Sequence, residues 1–250
     1  MEIVVRSLAD GPECAARLWE MTASAWPTFM LYDPNSGLYY DDVESAYPEY
    51  VLVAFSSDAP TVPLARAFSV PLHWERPVGE LPPGGWDWAV RQSCADRLSG
   101  RTATVVSALE ITIHPDHRGK GLAALLLDAM RENVARLGFR DLVAPVRPSA
   151  KHHVPLMSMA EYLSRVRPDG LPDDPWLRVH VRAGGRVIGI APYSMVIPGT
   201  LAQWREWTGL AFDGTGQVIV PEALRPVACD VEENRAVYVE PNVWIHHRVG

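Results

Sequence analysis

Cysteine is scarce in this chain and basic charge is never grouped, and both shortages narrow its chemistry. Cys14, Cys94 and Cys229 are the three cysteines of 250 residues, far apart in the chain. An odd and dispersed set makes neither a disulfide framework nor a zinc site, and suits thiols held in a reducing cytoplasm. Lys and Arg number 23 against 30 Asp and Glu, a net charge of −7. Without a basic block, nucleic acid is excluded as a partner, because neutralising phosphates needs clustered cations. No apolar run has bilayer-spanning length, and the start, MEIVVRSLADGPE, has an acid at its second position and only a brief apolar run. That is neither a membrane span nor a signal peptide, so the expectation is a cytoplasmic protein away from membranes. Gly/Ser tracts, fixed-period repeats and composition breaks are missing as well. A single domain over 1–250 follows, with a core to about 197 and a C-terminal elaboration from about 198. No G-x-S-x-G occurs, so covalent serine catalysis has no support.

The organising stretch is Val105 to Gly138, VVSALEITIHPDHRGKGLAALLLDAMRENVARLG. Val105, Val106, Leu109, Ile111 and Ile113 form a β-branched run that Pro115 stops, with Glu110 its one acid. Leu122, Leu125, Leu126, Ala129, Met130, Val134 and Leu137 then recur at helical spacing, and Gly138 caps the end. Between strand and helix, Gly119 and Gly121 let the main chain approach a ligand, and the first helical turn leaves amides unpartnered. With Arg118 and Lys120 beside them, a pyrophosphate is the natural guest.

Arg118 to Ala123, preceded by ITIHPDH and followed by ALLL, resembles the R/Q-x-x-G-x-G/A signature of the GNAT acyltransferase superfamily. The resemblance implies an α/β (α+β) fold, a mixed and strongly twisted sheet flanked by helices, here with an extended C-terminal part. It implies acetyl-CoA, or another acyl-CoA, as co-substrate and an amine of a small molecule as acceptor. Arg118, Gly119, Lys120, Gly121, Leu122, Ala123 and Ala124 would hold the pyrophosphate, and Ile111, Thr112 and Ile113 would pair with pantetheine as an added strand would. Two other readings share the fold: use of a longer acyl-CoA or carrier-protein thioester, including its decarboxylation, and a non-catalytic acyl-CoA-binding module.

Elsewhere the chain reads as a strand at Ile3 to Arg6, a helix from Asp10-Gly11-Pro12-Glu13 to Trp26, and strands at Tyr50 to Phe55 and Thr61 to Val70. The aromatic and acidic segment between Phe29 and Tyr50 is either a substrate wall or a surface helix with packed tyrosines. A proline-rich run before Trp86 is a lid or a gap-filler, its tryptophans covering an acyl chain or packing, and a helix follows to about Leu98. Arg140 to Val146 is the next strand, which in the family splays from its neighbour. Trp176 to Arg182 alternates as a strand, with Ala183-Gly184-Gly185-Arg186 as a hairpin turn to Val187–Ile190. Gly199-Thr200 opens a helix over TLAQWREW, and Gln217–Val220 and Ala236–Ile245 are late strands. Those strands suit a homodimer axis and internal packing equally.

Acyl transfer to an amine needs a base, an oxyanion donor and a proton for the leaving thiolate. Glu110 is the candidate base, since burial in an apolar strand raises a carboxyl pKa; otherwise it faces solvent or pairs with an arginine. Tyr162 is the candidate acid. The family's usual asparagine is absent, with Ser149 or Lys151 near its place. His114 and His117 are relays or loop residues, and neither His152-His153 nor His246-His247 has the ligand spacing of a metal site.

Overall fold

The computed structural model describes residues 2–21 and 25–250. Strand β1 (Ile3–Ser7) leads into short 3-10 turns at Leu8–Asp10, Ala15–Met21 and Thr28–Tyr32, a π-helical turn at Ser36–Tyr40 and helix α1 (Val43–Ala46). Then come β2 (Val51–Ser56), β3 (Ala59–Leu72), α2 (Gly85–Leu98), β4 (Val105–Ile113), α3 (Leu122–Arg136) and β5 (Asp141–Val146). The chain ends with α4 (Met159–Leu163), α5 (Pro175–Arg182), β6 (Arg186–Thr200), α6 (Leu201–Thr208), β7 (Gly216–Val218), β8 (Val227–Asp230) and β9 (Arg235–Arg248).

The described residues form one nine-stranded sheet in the order β1-β2-β3-β4-β5-β9-β8-β7, with β6 paired to β9. Only β4 and β5 are parallel, because α3 carries the chain back over the sheet between them. The sheet is covered on both faces. Leu126, Met130 and Val134 of α3 bury one face, and Trp86, Phe29 and Trp204 belong to the core on the other. The mixed sheet with helices on both sides is the expected architecture. Residues 198–250 are woven into it: β9 pairs with β5 from Asp141↔Arg248 to Val146↔Val243, and the 197/198 division falls inside β6. Among the described residues no helix is long and apolar enough to cross a membrane.

Two sequence expectations fail for local reasons. Trp176 to Arg182 is α5, not a strand: Asp174 accepts from the Trp176 and Leu177 amides at 2.9 and 3.0 Å, and Pro175 opens the first turn. A proline-led, side-chain-capped start outweighs an alternation of seven residues. Ala183 to Arg186 is therefore a helix-to-strand link rather than a hairpin turn. Up to Met21, the expected first helix is replaced by 3-10 turns. Asp10 closes a capping box with Ser7 one element earlier, and the Leu18 carbonyl accepts from Arg66 Nη1 at 2.8 Å. Residues 22–24 of that expected helix lie outside the described residues.

Candidate active site

The β4–β5 ladder stops early. Only Val106↔Leu142 and Ser107↔Val143 are paired, so beyond Ser107 the edge of β4 faces β5 across a gap. A bulge at Leu109 re-aims β4 at the same level: Phe68 pairs with Glu110 but Ser69 with Ala108. The Leu109 carbonyl accepts from the Trp86 indole at 3.1 Å, which ties α2 to the bulge. The gap opens into a cleft of about 660 Å³ walled by Ala108–Ile111 on one side and Ala144–Arg147 on the other. The splay expected from the resemblance is thus present.

A second cavity, of about 440 Å³, adjoins the cleft and shares Ile111, Arg118 and Ala123 with it. It is lined by Thr112, Ile113, Gly119, Gly121, Leu122 and Ala124 as well. Nearly the whole expected cofactor set therefore meets in one place. Lys120 is the exception, its ammonium donating to the Asp116 carbonyl at 2.7 Å. Gly119 and Gly121 have φ of +75° and +84°, a region costly for any residue with a Cβ, and a Cβ on either would meet open space. The loop is shaped for a guest that presses on the main chain, and an anionic diphosphate fits it. His117 lines this cavity too, whereas His114 accepts from the Asp116 amide within its own loop.

Glu110 reaches the cleft but is not the lone acid its sequence context suggests. Its Oε1 accepts from Arg66 Nε at 2.6 Å and its Oε2 from the Tyr40 hydroxyl at 2.8 Å. Arg66 is fully buried and stacks 4.5 Å from the Trp19 ring. Arg66 and Tyr40 were not singled out from the sequence; an arginine in the apolar run PLARAFSV was the one available sign that a buried acid must face it. Tyr40, Met30, Leu31, Ser36 and Asp41 line the cleft, so the first half of the aromatic segment, residues 30–41, is a wall of the site. Trp74 and Trp88 pack edge to face, as gap-fillers do.

Tyr162 does not reach the cleft. Its hydroxyl donates to Asp174 at 2.7 Å, and burial together with that carboxylate pushes its pKa well above the ordinary tyrosine value. The same Asp174 caps α5, so the tyrosine is a strut between α4 and α5 rather than a proton donor. Of the two candidates for the missing asparagine's place, Ser149 lines the cleft. Lys151 is buried and gives its ammonium to the Val154 and Leu224 carbonyls at 2.9 and 2.8 Å.

Behind the wall, Asp33 and Asp87 form a buried acid pair. Asp33 accepts from the Asn35 and Ser36 amides at 2.8 and 3.0 Å, and Asp87 from the Val196 amide at 3.1 Å, which joins the wall to α2 and β6. Burial, then the neighbouring Asp33 charge, pushes Asp87 up to about 8; burial pushes Asp33 up to about 6. Both carboxyls bind protons more tightly folded than unfolded, so their contribution to stability is complete below the unfolded value of 3.8 and is lost as pH rises to about 8. Asp87→Asn places an amide where the shared proton sits. It is expected to melt a few degrees above the parent protein at pH 8–9 and level with it near pH 5, which thermal melts across that range will read, at about 2–4 °C per kcal/mol for a chain of this size.

No family model matches the chain. It is 32% identical over 252 residues to the arginine N-acetyltransferase avaD of Aspergillus versicolor, covering 91% of this chain and 86% of that protein. The fold is similar to the loading GNATL domain of CurA from Lyngbya majuscula, at TM-score 0.58 and 17% identity over 99% of this chain and 98% of that one. It is also similar to the GphF GNAT-like decarboxylase in complex with isobutyryl-CoA, at TM-score 0.55 and 14% identity over 99% of both chains. With a strand–glycine loop–helix opening onto a splayed pair of strands, and that relative along most of its length, the chain belongs to the GNAT superfamily and is an enzyme that transfers an acyl group from coenzyme A to an amine.

Proposed function

We propose that the acceptor is a small cationic amine of the arginine class and that the acyl group is acetyl. The observation that carries this reading is the 32% identity, over 91% of the chain, to a protein named for arginine N-acetylation. The cleft chemistry supports it. Trp26, Trp86 and Trp176 line the cleft with aromatic surface of the kind that attracts a cation, and Asp41 is an exposed carboxylate on the same wall. In this reading the amides of 119–124 hold the diphosphate of the donor, and the unpaired edge of β4 from Ala108 to Ile113 runs beside its pantetheine. Glu110, fixed by Arg66 and Tyr40, takes the proton of the incoming ammonium directly or through one water.

The test is turnover with acetyl-CoA against arginine, ornithine, lysine, agmatine and aromatic amines, following free thiol and product mass. A cationic acceptor is expected to exceed every aromatic amine in kcat/KM by at least about tenfold, the scale of one desolvated charge contact. An aromatic amine as the best acceptor would overturn the reading. Malonyl-CoA and longer acyl-CoAs in the same assay test the preference for acetyl.

A further inference from the structure

His180 on α5 and His247 on β9 form a pair of imidazoles that nothing in the sequence announces. Nδ1 of His180 lies 2.9 Å from Nε2 of His247, and both rings are buried. Burial, with His247 beside it, lowers the pKa of His180 to about 3, and burial, then the charge of Arg131, lowers that of His247 to about 4. Both are neutral at physiological pH, so one proton lies between the two facing nitrogens. Nδ1 of His247 is buried without a hydrogen-bond partner. With the His247 proton on Nδ1, its Nε2 is the acceptor of the pair. His180 then donates through Nδ1 and keeps a lone pair on Nε2, which has no hydrogen-bond partner among the described residues. His180 lines the reaction cleft, its ring 4.5 Å from that of Trp176.

The reaction leaves work for such a nitrogen. As the amine adds to the thioester carbonyl, its nitrogen becomes cationic and must lose a proton, while the sulfur departs as a thiolate and must gain one. Tyr162 is outside the cleft, Tyr40 donates to Glu110, and Glu110 is held by Arg66. Among the described residues lining the cleft, His180 is the one imidazole.

We propose that His180 is a catalytic residue that carries this proton, and that His247 is the positioning residue that fixes its tautomer. As the C–N bond forms, Nε2 of His180 accepts the proton of the attacking nitrogen; as the C–S bond breaks, it returns that proton to sulfur, releasing amide and free thiol with no net change in the imidazole. Once protonated, so weakly basic a nitrogen yields its proton readily to a thiolate.

His180→Gln keeps the volume and polarity of the ring but cannot carry a proton. Its kcat is expected to fall about 10²–10⁴-fold with the Kd for acetyl-CoA and the melting temperature retained, the usual scale of a proton-transfer residue. His247→Gln, whose carbonyl can accept from His180, is expected to keep kcat within about tenfold, whereas His247→Leu lowers kcat with KM for acetyl-CoA unchanged. Rescue by the glutamine but not the leucine separates positioning from mere packing. Nitrogen-15 NMR of the unaltered protein, with labelled histidine, is expected to show His180 protonated on Nδ1 at neutral pH. A proton found on Nε2, or His180→Gln turning over within about threefold of the parent protein, overturns the proposal. Either result leaves the acceptor class untouched, since that is read from the unaltered enzyme.

Discussion

Glu110→Ala is expected to lose both the fold's margin and the activity, and Glu110→Gln only the activity. Alanine strands a guanidinium that is fully buried, has a second nitrogen, Nη2, without a partner, and keeps only the Leu18 carbonyl and the Trp19 face. Breaking a buried pair from one side costs about 3–5 kcal/mol. That is a large part of the 5–15 kcal/mol, roughly, that holds a domain folded. At about 2–4 °C per kcal/mol the melting temperature drops by some 6–20 °C. Glutamine still offers a carbonyl to Arg66 or to Tyr40 and fills the same space, so its melt stays closer to the parent. It has no charge with which to draw a proton from an ammonium, and kcat falls about 10²–10⁴-fold. Thermal melts and steady-state rates on the two variants separate the roles. A glutamine variant with parental kcat removes Glu110 from the chemistry and leaves it a structural ion-pair partner.

The second large effect is expected at the glycine loop. In a Gly119→Ala/Gly121→Ala double variant, each Cβ meets open space in the protein, so no clash unfolds the chain. The penalty is conformational, about 1–2 kcal/mol for each residue held at positive φ. A loop that relieves it by moving to negative φ turns its amides away from the cavity, and a loop that does not brings two methyl groups up to the diphosphate. Both outcomes weaken acetyl-CoA. Two such penalties correspond to a 30- to 1000-fold rise in Kd, roughly, with the melting temperature of the unliganded protein little changed. Titration calorimetry measures the first, and the loss of ligand-induced stabilisation in a melt measures the second. Unaltered affinity in the double variant would place the diphosphate elsewhere.

Glu110 and the glycine loop sit close together in the chain, and both were legible from sequence because the rules that define them are short-ranged. A β-branched strand, a proline stop, two glycines with unpartnered amides and a helix of spacing three and four all lie between Val105 and Gly138. Each residue in that stretch is constrained by neighbours a few positions away, so pattern alone gives element and boundary. The cavity lined by 111–113, 118, 119 and 121–124 is the three-dimensional form of the same run.

What sits around that run was settled only by the tertiary structure. Glu110 meets Arg66 across 44 positions and Tyr40 across 70, and His180 meets His247 across 67. No local rule ranks such partners, because a buried polar group takes whichever complement the packed sheet brings within hydrogen-bond distance. Tyr162 shows the reverse: suitable by residue type, it was claimed by Asp174, the same cap that turned Trp176–Arg182 into a helix and carried His180 to the cleft. Sequence by itself determined the family, the sheet-and-helix frame and the glycine loop between strand and helix. Tertiary packing decided which charged groups line the cleft, because desolvating a charge is costly enough that its place is set by long-range partners rather than by its neighbours in the chain.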